Sequence, residues 1–176
     1  MSNKFEILMH QLDMPLEMRN SEAFLNAEIE KVLVHKVSRV WEFHFSFANI
    51  LPIEIFRELQ KRLAQEFSKT GNQAIFEIHC QAPQVSDELL QAYYQLAFEE
   101  GPCASHGFKS LYQDLRVHLD GDKLLIEGAS TIDTEHFRKN HLPNLSQQLV
   151  KYGFPHLTCQ VQHSDELTQQ QAENFQ

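Results

Sequence analysis

The chain has 176 residues, with 15 Lys and Arg against 24 Asp and Glu and a formal net charge of −9. Hydrophobic residues make up 42% and charged residues 22%, the balance of an ordinary globular chain rather than a disordered or fibrous one. No apolar run approaches the roughly 20 residues that span a bilayer, and Met1-Ser2-Asn3-Lys4-Phe5-Glu6 lacks a signal-peptide core. The expectation is a cytoplasmic chain with no membrane role, long enough for one medium domain or two small ones. Cys80, Cys103 and Cys159 are odd in number and lack CxxC spacing, so neither a disulfide framework nor a zinc ribbon is expected.

Phe5, Leu8, Met9 and Leu12 recur at helical spacing and predict a helix over 4–12, with Asn3 and Glu6 as a reciprocal cap. Pro15 interrupts it, and another helical turn is expected within 16–26. An Ile- and Val-rich strand follows at 28–37, with imperfect alternation: Ile29, Leu33 and Val37 share one parity, Val32 and Val34 the other. Ser38-Arg39 reads as a tight turn into the clearest strand of the chain. There Trp41, Phe43, Phe45 and Phe47 point one way, and Glu42, His44 and Ser46 the other. Pro52 opens a helix carrying Ile55 or Phe56, Leu59, Leu63 and Phe67 to a stop at Thr70-Gly71. Ala74 to Cys80 is a third strand, and Ala82-Pro83-Gln84-Val85 the best linker.

The second half repeats that order. Ser86 caps a helix with Asp87 and Glu88 in its first turn and Leu89/Leu90, Tyr93, Leu96 and Ala97 as its stripe, ending at Gly101-Pro102. A shorter helix over 105–114 holds Phe108, Leu111 and Tyr112. Val117 to Leu119, a turn at Asp120-Gly121, and Lys123 to Glu127 predict a hairpin. Asp133 caps a helix with Phe137, Leu142, Leu145, Leu149 and Tyr152, which Pro143 must kink or split. Gly153 and Pro155 stop it, and a last strand turns Leu157, Cys159 and Val161 inward. From Ser164 the chain is polar and Gln-rich. The expected fold class is therefore α+β: two small α/β modules, each a three-stranded sheet with helices on one face, in α-β-β-α-β order. Their bounds are 1–82 and 86–163, with a tail at 164–176.

Little here points to chemistry. Asp120 and Asp122 bracket a glycine as in a carboxylate pair, but Asp-Gly is also common hairpin chemistry. His79 and Cys80 are neighbours on a strand and point to opposite faces, a poor metal pair. His35 and His44 fit a solvated pair across the first hairpin. There is no GxxxxGK[ST], GxGxxG or GxSxG. No catalytic, cofactor-binding or metal-binding residue is expected, and no cofactor.

Nucleic-acid binding is the stronger rival. The second module's element order resembles a type II KH fold, whose working members hold single strands with a GXXG loop. At the matching break stands Lys139-Asn140-His141-Leu142-Pro143-Asn144, without glycine. Residues 1–83 carry 9 basic and 11 acidic residues, net −2, and residues 84–176 carry 6 and 13, net −7. The KH-like half thus has the wrong sign for phosphate. The basic cluster Arg57, Lys61, Arg62 and Lys69, with Lys36 and Arg39 nearby, reads either as a solvated helix face or as an interaction face.

Several segments, in order, resemble one family. They are Lys4-Phe5-Glu6-Ile7-Leu8, Glu28-Ile29-Glu30-Lys31-Val32 to His35-Lys36, Arg39-Val40-Trp41-Glu42-Phe43-His44-Phe45, Leu51-Pro52 and Tyr152-Gly153-Phe154-Pro155. Together they resemble the extreme N-terminus of the PolC-type alpha subunit of DNA polymerase III. The resemblance implies a non-catalytic part of a far larger polymerase with 3'-5' exonuclease, a first domain of tau-interaction type and a second of type II KH type. It implies the clamp-loader tau subunit as partner, with other replisome proteins possible; the glycine-free break and the acidic second half add the expectation of weak or no direct nucleic-acid binding.

Overall fold

The structure, a computed structural model, describes residues 3–100, 115–128 and 131–163. The expected helix over 105–114, the Gly101-Pro102 stop, Cys103 and the tail from Ser164 lie outside the described residues. The chain divides into two compact units: residues to Val85 with Lys151–Pro155, and Ser86–Val150 with residues from His156 on.

In the first unit α1 (Asn3–Gln11) leads through α2 (Leu16–Arg19) and a 3-10 turn (Glu22–Phe24) to β1 (Glu28–His35), β2 (Val40–Phe47), α3 (Ile53–Ser68) and β3 (Gln73–Cys80). Asn3, expected as the cap, already lies within α1. Pro52 is the N-cap of α3, one residue before the expected first-turn place. The sheet runs β1-β2-β3, with β1 antiparallel and β3 parallel to β2. A parallel pair needs a crossover, and α3 supplies it.

The aromatic strand face is the core. Phe43, Phe45 and Phe47 are buried, and Trp41 lays its ring 5.1 Å from that of Phe67 on α3. At the other end of the same row Phe5 of α1 meets Phe47 edge-on at 5.6 Å. The mixed parity of β1 has a local cause. A register shift between Ile29 and Lys31 sets Ile29 against Phe45, yet Val32 against Phe43 and Leu33 against Glu42. The bulge residue Glu30 thus moves Ile29 onto the same face as Val32 and Val34, not that of Leu33. At the other end of α3, Gly71 takes φ +74, a left-handed conformation suited to glycine.

The five residues Lys151–Pro155 complete this unit. Tyr152 meets Phe56 edge-on at 5.2 Å, and Lys151 Nζ stands 4.0 Å from Glu77 Oε1. Gly153 has φ +107 and its backbone lies against Cys80 and Ile78.

In the second unit α4 (Asp87–Glu99) is followed by β4 (Arg116–Asp120), β5 (Lys123–Gly128), α5 (Thr131–Asn140), α6 (Leu142–Lys151) and β6 (Thr158–His163). The sheet order is β4-β5-β6, antiparallel then parallel. Ser86 Oγ accepts from the Leu89 amide at 3.2 Å, capping α4 as expected. Val117, Leu124, Ile126 and Val161 are buried in the strands, and Leu90, Tyr93, Phe137, Leu145 and Leu149 in the helices over them.

Three expectations move. Asp120 pairs with Lys123, so the two loop residues are Gly121 and Asp122 rather than Asp120 and Gly121. Gly121 has φ +64 and Asp122 has no positive φ, the pattern of a glycine-first turn. Asp133, expected as a cap, falls inside α5. The split expected from Pro143 occurs at His141, leaving the proline in the first turn of α6, where its missing N–H costs least.

Candidate interaction surfaces

The first unit carries a concavity between α1 and the 3-10 turn. Helical spacing puts Phe5 and Met9 on one stripe of α1, with Glu6 and His10 one step round. The 3-10 turn brings in Phe24, whose ring stands 5.2 Å from that of Phe5. Ser21 Oγ holds that turn by accepting from the Ala23 amide. With Leu16, Arg19 and Asn20 these residues enclose about 210 Å³. Phe5, Met9 and Phe24 are buried and form the floor, while Leu16 at the lip is 62% exposed. Arg19 Nη1 donates to His10 Nδ1 at 2.8 Å, and its Nε–H is buried with no hydrogen bond. The polar side chains of Glu6, His10, Arg19 and Asn20 ring this apolar floor.

The basic cluster expected on α3 is not a single patch. Arg57 and Lys61 stand one turn apart on its outward face, and both are exposed. Arg62 lies roughly 100° round the helix, where Nε donates to Glu58 Oε1 at 2.5 Å. Its Nη1 donates to the carbonyls of Leu12, at 3.4 Å, and of Asp13. Arg62 thus clamps the turn after α1. Lys69 Nζ pairs with Glu66 at 3.0 Å beyond the end of α3. Arg39, at φ 57, extends its guanidinium over Gly71.

The other titratable groups are explained locally. His44 does not meet His35: the register puts it opposite Lys31, and His35 opposite Val40. Half-buried, His44 lies 3.1 Å from Glu42 and 3.7 Å from Glu77, not on a solvated face. His79 is exposed and 3.3 Å from Glu30, while Cys80 points inward. Burial pushes the Cys80 thiol up to about 11. Burial also raises Cys159, against an opposing pull from its hydrogen bond with Ser146. Burial, and then the nearby charge of His136, lower His141 to about 4. Among the described residues no group of three or more His, Cys, Asp or Glu could hold a metal ion. No described helix is long and apolar enough to cross a membrane.

Residues 4–78 match the family model described as DNA polymerase III polC-type N-terminus I. Residues 92–176 match that for DNA polymerase III polC-type N-terminus II. The chain belongs to the PolC-type DNA polymerase III family. It is 98% identical over 176 residues to DNA polymerase III PolC-type of Streptococcus sanguinis (strain SK36), covering 100% of this chain and 12% of that protein. Identity is 63% over 175 residues, 99% of this chain and 12% of the relative, to the PolC-type protein of Streptococcus pneumoniae serotype 2. It is 47%, with the same coverage, to that of Streptococcus pyogenes serotype M5. The chain thus spans about 12% of the length of the curated relatives it matches. Both matched regions are N-terminal, non-catalytic regions of PolC. No solved structure matches the chain.

Proposed function

We propose that this chain acts as a protein-interaction module of a replicative PolC-type polymerase, docking it to the tau subunit of the clamp loader. Polymerase and exonuclease chemistry belong to other parts of that enzyme. The groove of the first unit carries the reading, because an apolar floor inside a polar rim is the make-up of a protein-binding seat. Arg57 and Lys61, outward on α3, supply charge that steers an acidic partner. The test is titration of the chain against tau's C-terminal region and, separately, a single-stranded oligonucleotide, each at low and moderate salt. Binding to tau that changes little with salt, with weak oligonucleotide binding, is the expected result.

A second reading has its own support. The described elements of the second unit run α-β-β-α-α-β with a break between α5 and α6, an order that resembles the KH type II plan, whose members hold single-stranded nucleic acid. Against it stand the glycine-free break and the net −7 of residues 84–176. Tight oligonucleotide binding with a steep salt slope, and none to tau, would put this reading first.

A further inference from the structure

A different surface of the first unit has no part in that proposal. β1 is an edge strand, and among the described residues nothing pairs with its outer side. Its apolar side chains are uncovered on both faces of the sheet. Val32 and Val34 lie on the helix-bearing face, opposite Phe43 and Trp41, yet are 37% and 46% exposed; Leu33 on the other face is 39% exposed. By contrast Phe43, next to Val32, is 4% exposed, so the helices cover β2 but leave the Val32–Val34 stretch of β1 open. Val37, in the following turn, is fully exposed. Edge strands are ordinarily guarded by bulges, prolines or inward charges. Here the bulge lies at the start of the strand, between Ile29 and Lys31, and Val32 to His35 continue in regular register.

We infer that the outer edge of β1, from Val32 to His35, binds an extended segment of a partner protein, apolar at alternate positions and acidic at its ends. Backbone pairing along about 13 Å of edge supplies the contact. Lys31 at one end and Lys36 at the other, both exposed, supply charge for the acidic ends. The same charges disfavour the self-pairing that centres on the apolar pair Leu33 and Val34. Antiparallel self-pairing centred on Leu33 and Val34 places Lys31 opposite Lys36, and like charges directly opposed are destabilising.

The probe is a fluorescein-labelled seven-residue peptide of alternating valine and threonine with glutamate at both ends, titrated with the whole chain at low salt. A lysine-ended peptide is the control. The glutamate-ended peptide should bind at least tenfold more tightly, and the amides of residues 32–35 should exchange more slowly in the complex. Leu33→Lys and Val34→Lys, on opposite faces, should each weaken binding tenfold or more without lowering the melting temperature. If either variant fails to fold, exchange at residues 32–35 of the unaltered chain decides. Absence of binding, equal binding of both peptides, protection only at other residues, or dimerisation through β1 would each overturn the inference. None of these readouts depends on tau, so the groove and the edge stand or fall separately.

Discussion

A side-chain carbon added at Gly153 would stand 2.7 Å from Cys80 Sγ and 3.0 Å from Ile78 Cγ2. The glycine also has φ +107, outside the range L side chains prefer. Gly153→Ala is therefore expected to lower stability by about 2–4 kcal/mol, combining overpacking with backbone strain. Urea denaturation checks it, and Cys80→Ala added to Gly153→Ala should recover part of the loss. Full recovery would mean that the clash with sulfur is the whole effect and the backbone angle costs nothing.

Phe45 is fully buried between the rings of Phe5, Phe43, Phe47 and Phe76. Its removal leaves a cavity touching both sheet and helices, a change that typically costs about 3–5 kcal/mol. Phe45→Ala should abolish the cooperative unfolding of the first unit by circular dichroism. A folded, equally heat-stable variant would show that this aromatic row is not the core.

Arg62 fixes the turn after α1 by donating to the carbonyls of Leu12 and Asp13, and Asp13 has φ 53. Arg62→Ala should cost about 1–2 kcal/mol, the scale of charge-assisted bonds at a partly exposed site. Arg62→Lys should rescue little, because an ammonium cannot reproduce the fork that reaches Glu58 and the turn together. Tau binding, measured on the folded variant, should fall less than with Arg57→Ala.

His141 fills the break between α5 and α6, and its folded value near 4 lies below the ordinary 6.5. A depressed value means that the folded state favours the neutral ring. The stability it contributes is complete above about pH 6.5 and is lost as pH falls through about 4. The urea midpoint of the second unit should therefore drop between pH 7 and pH 4, and His141→Leu should flatten that drop. An unchanged profile in the variant would assign the acid sensitivity elsewhere.

Leu16 stands at the lip of the groove with most of its side chain exposed. Leu16→Glu should leave the melting temperature within about 1–2 °C, as surface substitutions usually do. It should weaken tau binding at least tenfold if the groove is the seat. Unchanged affinity would move the seat off the groove.

Periodicity made most of the architecture legible: the stripe of α3, the aromatic row of β2 and the alternation of β6 follow directly from the spacing of apolar residues. What stayed hidden depends on contacts between distant residues or on single-residue shifts. The bulge at Glu30 scrambled the parity of β1, because one extra residue inverts every later side chain. Arg62 read as one member of a basic face, since nothing in its neighbourhood shows that its partners are the carbonyls of Leu12 and Asp13. Asp87 read as a charge at a helix start; its Oδ1 also accepts from the Leu119 amide at 2.7 Å. The groove was missed altogether. Its one signal, Leu16 directly after Pro15 in a polar stretch, is too weak to separate an exposed apolar lip from an ordinary core position.

The inclusion of Lys151–Pro155 in the first unit bears on how the chain reaches its fold during translation. When Val85 leaves the ribosome, the surface of Phe56, Ile78 and Cys80 still lacks Tyr152 and Gly153. At about 5–20 residues per second, those residues follow only after roughly 3–13 s. Through that interval the first sheet exists without its last strap, and the nascent chain must keep an apolar flank from straying until its own later residues arrive.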